Sequence, residues 1–136
     1  MIRISEMRVE GVEFMPAELA DGVLYVSERF KTAAHRCCCG CGTKTVTPLK
    51  PGGWNLSGTS SAPTLRPSIG NWNLPCRSHY LITNGGVHEA LQWSEAEIEA
   101  GRARDHALRQ QHFDKKPILV RIWLASVSFI KSLRFW

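Results

Sequence analysis

His35-Arg36-Cys37-Cys38-Cys39-Gly40-Cys41-Gly42 packs four cysteines into eight residues, and Cys76-Arg77-Ser78-His79 supplies the fifth cysteine with a second histidine. Zinc takes four tetrahedral ligands from thiolate and imidazole, and a closed site commonly draws one pair from each of two turns that the ion then ties together. All five cysteines of the chain fall in these two clusters. The odd count, the three adjacent cysteines, and the run Met1 to Val9 with Arg3, Glu6 and Arg8 in place of an apolar leader core argue against a secreted disulfide framework. Zinc in a reducing cytoplasm is the expectation.

Cys76-x-x-His79 has the two-residue gap that lets both side chains face one ion. The first cluster is over-supplied. Cys38 and Cys41 have the usual gap, Cys39 and Cys41 flank a glycine able to take positive φ in a tight knuckle, and Cys37 or His35 could stand in for either. A surplus cysteine is either a small buried apolar residue or a thiol activated beside Arg36 and the metal.

The chain has 136 residues, 43% of them hydrophobic, enough to bury a core without relying on metal for all of its stability. The formal charge of +5 permits contact with acidic surfaces, but the basic residues are scattered, with local groups at Arg102, Arg104, Arg109 and at Lys115, Lys116. No phosphate-tracking stripe emerges, so a nucleic-acid-binding zinc module ranks below other readings.

Outward from the cysteines, Ala33 to Arg36 enters the knuckle and Thr43 to Thr47 leaves it with β-branched content, which makes a hairpin capped by the metal turn. Met7 to Met15 and Gly22 to Ser27 read as earlier strands. Pro48 to Pro63, rich in Gly, Ser and Pro, reads as an irregular connection anchored by Trp54 and Leu56. Thr64 to Gly70 is an extended piece around Pro67. From His79, Tyr80 to Thr83 is a strand, Asn84-Gly85-Gly86 a tight turn, and Val87 to Trp93 the returning partner.

Ser94-Glu95-Ala96-Glu97 is a capping box, and Ile98, Ala103, Ala107 and Leu108 fall at helical spacing through His112. Gly101 weakens that helix by about 1 kcal/mol relative to Ala. The apolar tail from Ile118 to Trp136 has an uncharged run of nine residues, Ile122 to Ile130, too short for the roughly 20 that span a bilayer. It reads as an element packed on the sheet, an apolar face for a partner chain, or a helix lying in a membrane interface.

The chain lacks a P-loop, Gly-x-Gly-x-x-Gly, His-Glu-x-x-His and Gly-x-Ser-x-Gly. Pro75-Cys76-Arg77-Ser78-His79 and His88-Glu89 have the wrong order and spacing for a zinc deaminase. A zinc-dependent hydrolase would need an open metal position with Glu89 or His88 beside the bound water.

The string His35-x-Cys37-x-Cys39-Gly40-Cys41-Gly42, then Trp54-x-Leu56, Thr64-Leu65-x-Pro67-Ser68-Ile69-Gly70, Cys76-x-Ser78-His79-Tyr80 and the Gly86-Val87 turn resembles a small bacterial zinc-binding domain family of unknown function. The matching stretch runs from about Glu13 to Trp93. Members of that family are often encoded beside an E1-like enzyme, an E2-like protein, a multi-ubiquitin-like protein and a JAB-type peptidase. Proline commonly occupies the position of Cys38 there, so the resemblance favours Cys39 and Cys41, with Cys37 in reserve, alongside Cys76 and His79. It implies an E3-like adaptor that holds an E2-like or ubiquitin-like protein on a metal-fixed surface, with Trp54, Trp72 and Tyr80 as candidate contacts.

The expected architecture is a single α+β domain over 1–136, with a zinc-ribbon-like core of hairpins at about 7–93 and one or two helices over 94–136. The expected function is a protein-binding adaptor module. Its competitors are a zinc hydrolase, a nucleic-acid-binding module and a thiol enzyme.

Overall fold

The computed structural model describes residues 1–114; the apolar tail and the Lys115, Lys116 pair lie outside them. The chain builds β1 (Arg8–Gly11), β2 (Val23–Ser27), β3 (Thr32–Arg36) and β4 (Lys44–Pro48), then β5 (Asn55–Gly58), β6 (Pro63–Gly70), β7 (His79–Thr83) and β8 (Gly86–Glu89), and finally α1 (Glu95–Asp114). The strands form two four-stranded sheets, β1-β2-β3-β4 and β5-β6-β7-β8. The two expected hairpins are present, β3 with β4 and β7 with β8, but each is one edge of a larger sheet rather than half of an isolated ribbon. Among the described residues the β1–β2 pair alone is parallel.

One apolar cluster joins the sheets. Leu24 and Val26 of β2, Ala33 of β3, Leu65 and Ile69 of β6, and Tyr80 and Ile82 of β7 all contribute to it. Each fully buried aliphatic side chain is worth about 1.5–3 kcal/mol relative to exposure, so this shared core holds the sheets together whether or not a metal is bound. The alternate residues of β2, Val23 and Tyr25, face a second cluster with Leu19 and Ala34, covered by Val12 and Met15. That cover explains why all five residues of β2 are buried.

The Gly/Ser/Pro-rich connection is less irregular than expected: Asn55–Gly58 pairs with β6 as an edge strand. Between Leu65 and Ile69 the pairing of β6 with β7 shifts register, because four residues on β6 span what two cover on β7. Arg66 fills the irregularity, donating to the carbonyls of Leu65 and Ile82 and to Thr83 Oγ1. The Arg66–Pro67 bond within it is cis.

Ser94 caps α1 as its sequence predicts: Ser94 Oγ accepts from Glu97 N at 3.2 Å, and Glu97 Oε2 accepts from Ser94 N at 2.6 Å. The apolar spacing along the helix does not make a buried stripe. Ile98 is its one buried residue, while Ala103, Ala107 and Leu108 are exposed. Gly101 has a packing reason, since a Cβ there would lie 3.0 Å from the Trp93 ring. Arg77 ties the N-terminal end down, 2.8 Å from Glu95. Among the described residues no helix is long and apolar enough to cross a membrane.

Candidate functional site

The turn between β3 and β4 is a knuckle. Cys37 N donates to Thr43 O at 2.8 Å and Gly40 N to Cys37 O at 3.1 Å, which reverses the chain while aiming successive sulfurs at one point. Gly40 takes φ +89°, a conformation that would strain a side chain, and an added Cβ would meet Arg3 at 2.9 Å. Cys76 approaches from the loop before β7. The ligand atoms of Cys37, Cys39, Cys41 and Cys76 all lie within 4.8 Å of one another, an arrangement that could hold a metal ion.

The spacing suits a tetrathiolate site. Zn–S bonds of about 2.3 Å place tetrahedral sulfurs about 3.8 Å apart. Cys37 Sγ lies 3.4 Å from Cys39 Sγ and 3.9 Å from Cys76 Sγ. Ser78 Oγ sits 3.1 Å from Cys37 Sγ, and Asn71 Nδ2 donates to the same sulfur at 3.4 Å, the outer hydrogen bonds that orient a thiolate ligand. Hydrogen bonds from the Thr43 hydroxyl and backbone hold the Cys41 thiol down at about 6.

The remaining first-cluster candidates lie elsewhere. Cys38 is fully buried against the Met7 thioether, and burial pushes its thiol up to about 12. His35 is buried between the sheets with Nε2 2.7 Å from the Tyr80 hydroxyl, and burial holds its imidazole down at about 4. Tyr80, one of the candidate contacts, is fully buried in the core. Glu89 pairs with the Met1 amino group at 3.0 Å, away from the sulfurs.

His79 is not in the sulfur group. It opens β7 opposite Gly70, with one face towards the irregular part of β6. Its Nδ1 bonds the Leu91 carbonyl, and its Nε2 lies 2.7 Å from Ser68 Oγ. A carbonyl oxygen only accepts, so in the neutral ring Nδ1 must carry the proton, which leaves the Nε2 lone pair facing the serine hydroxyl. The register shift in β6 brings Ser68 to this place, and bulges of that kind commonly re-aim a side chain beside a reactive site.

Two indoles hold the imidazole. The Trp72 ring lies 4.8 Å from His79 and the Trp93 ring 5.2 Å, and the two indoles stack at 5.9 Å. Trp72 reaches that place by packing over Gly70, where a Cβ would come within 2.4 Å of its ring nitrogen. Ser68 and His79 line a cleft of about 630 Å³ between β6 and α1, with Trp54 also on its wall.

The geometry thus contains two groupings. Four sulfurs gather with no other His, Asp or Glu ligand in their group among the described residues, and a serine–histidine pair lines a cleft. The sequence offers His79 as a candidate metal ligand and places Ser68 in an extended segment and in the family-like string, with no role for its hydroxyl.

No curated protein and no solved structure matches the chain. A family model described as bacterial ubiquitination-like system serine protease (BubE) matches residues 11–90, more than half of the chain, so the protein belongs to that family and is associated with a bacterial ubiquitination-like system.

Proposed function

We propose that this protein is a serine peptidase acting on a protein component of a ubiquitination-like system, with Ser68 as nucleophile and His79 as general base. The observation that carries this reading is the 2.7 Å contact between His79 Nε2 and Ser68 Oγ in a tautomer ready to accept a proton. The family's description as a serine protease supports it. Ser68 Oγ attacks a substrate carbonyl while its proton passes to His79 Nε2; the imidazolium then returns that proton to the leaving amine, and water hydrolyses the acyl-serine by the reverse use of the same base. The Leu91 carbonyl takes the orienting role that a carboxylate has in a three-residue triad, fixing ring and tautomer through Nδ1–H. Trp72 and Trp93 limit the ring's rotation.

Cys37, Cys39, Cys41 and Cys76 are assigned a structural zinc ion, which supplies a cross-link between the β3–β4 turn and the loop before β7. Four thiolates leave no coordination position for a substrate water, which disfavours a zinc hydrolase. A reducing cytoplasm suits such a site. An E3-like adaptor would have no use for a poised Ser68–His79 pair, so the protein partner is assigned as substrate rather than as a captured enzyme.

Reaction with a fluorophosphonate probe, located by mass spectrometry, tests the reading. Phosphonylation at Ser68, lost in His79→Ala while the fold is retained, is expected. An unlabelled Ser68 in folded, metal-loaded protein overturns it.

A further inference from the structure

The wall of the cleft opposite Ser68 is made by α1, and its charge is one-sided. Arg102, Arg104 and Arg109 line it against a single carboxylate, Asp105. Arg102, Asp105 and Arg109 follow the buried Ile98 along one helix face at intervals of three and four residues. Among the described residues none of the three arginines has a salt bridge; Arg102 donates to Asn73 Oδ1 at 2.9 Å, an uncharged partner that steadies it without neutralising it. The helix is poorly held by apolar contact, since Ile98 is its one buried residue, so α1 gains little by facing the sheet beyond what it presents to the cleft.

We infer that α1 sets substrate specificity: the cleft takes an extended peptide whose acidic side chains, next to the scissile bond, lie along Arg102 and Arg104. This rests on the peptidase reading. Guanidinium groups form forked hydrogen bonds to carboxylates, and a cleft lined by one sign of charge with low-dielectric walls concentrates ligands of the other sign. The stacked indoles of Trp72 and Trp93, which also line the cleft, offer flat apolar faces to the intervening backbone. A peptide fits this arrangement better than a nucleic acid, because the arginines share a cleft with the serine–histidine pair instead of tracking along an open surface.

Binding tests the inference without relying on turnover. Two fluorescein-labelled dodecapeptides of Gly, Ala and Ser, one carrying four Glu and the other four Lys, are titrated by anisotropy against the full chain bearing Ser68→Ala. The Glu peptide should bind at least about tenfold tighter than the Lys peptide, with the advantage shrinking as salt is raised. Arg102→Gln with Arg104→Gln should remove that preference, whereas Arg8→Glu, beside the β7–β8 turn in a different depression, should preserve it. Equal binding of the two peptides overturns the inference, as does a preference that survives the double substitution or tighter binding of a dodecathymidylate. Fluorophosphonate labelling of Ser68 in the unsubstituted chain is scored separately, so a labelled serine with no charge preference refutes the specificity alone, and an unlabelled serine refutes the peptidase reading itself.

Discussion

The sulfur knuckle and the serine–histidine pair are served by one short run, Asn71 to His79, yet they are built in opposite ways. At its sulfur end the run closes inward: Asn71 N donates to Ser78 O at 2.8 Å, Ser78 Oγ and Asn71 Nδ2 contact Cys37 Sγ, and Cys76 joins the group of four. At its other end His79, itself buried, lines a cleft, with one ring nitrogen committed to the backbone and the other to a serine across the sheet. Closed by a metal, the sulfur end would stiffen the loop, and in the proposed mechanism the other end does the chemistry, because no group in the first needs to move or exchange ligands for the second to work. Trp72 sits between them, carried by the same loop that the sulfurs anchor.

Substitutions should pull the two apart. The largest effect is expected from Ser68→Ala, which should lower kcat/KM by about 10⁴-fold or more while metal content and thermal midpoint stay unchanged; peptide hydrolysis, elemental analysis and calorimetry read the three quantities. Cys76→Ala should do the converse. An exposed side chain normally shifts stability by about 0.5 kcal/mol or less, so a loss of about 3 kcal/mol or more together with loss of stoichiometric metal would mark Cys76 as a ligand. If Cys76→Ala keeps both metal and stability, the contrast between a closed and an open end collapses.

A smaller effect lies in the core that supports both. Tyr80→Phe removes the hydrogen bond to His35 and leaves a buried imidazole nitrogen unpaired, at a cost of about 1–3 kcal/mol read by urea denaturation. The smallest concerns α1. Ser94→Ala should cost about 1 kcal/mol of helix stability, seen as faster exchange of the first-turn amides. The Ser94 backbone N–H, first, and its hydroxyl hold the Glu97 carboxyl below its usual range. A depressed folded value means the capping contribution is present at neutral pH and fades as pH falls through the carboxylate range, so first-turn exchange should accelerate on acidification.

The sulfur cluster was visible in the sequence because soft ligands at short spacing in a knuckle with two glycines have few other uses, and Asn84-Gly85-Gly86 announced its turn through Asn84 at φ +48° and Gly85 at +80°. Asn55–Gly58 escaped because an edge strand of Asn, Leu, Ser and Gly has little β-branched or aromatic content to betray it. The spacing of Ala103, Ala107 and Leu108 pointed to a buried helical stripe because periodicity reports amphipathicity, not whether a partner surface is within reach. Ser68 and His79 are 11 residues apart, and a register shift in a β-ladder brings them together. No local pattern encodes such a meeting, whereas Cys76-x-x-His79 has the spacing of a ligand pair, so the sequence points His79 toward the metal while the structure sets it against Ser68.

In the proposed mechanism the third participant beside Ser68 and His79 is a main-chain oxygen, that of Leu91. Alanine scanning cannot delete it, and any residue at that position brings an equivalent acceptor, so mutational surveys would count two members of the machinery where three operate. Drift at position 91 is correspondingly harmless to the base as long as the chain keeps its path, and an amide-to-ester replacement in the Leu91–Gln92 linkage, which weakens that oxygen as an acceptor, would reveal it chemically.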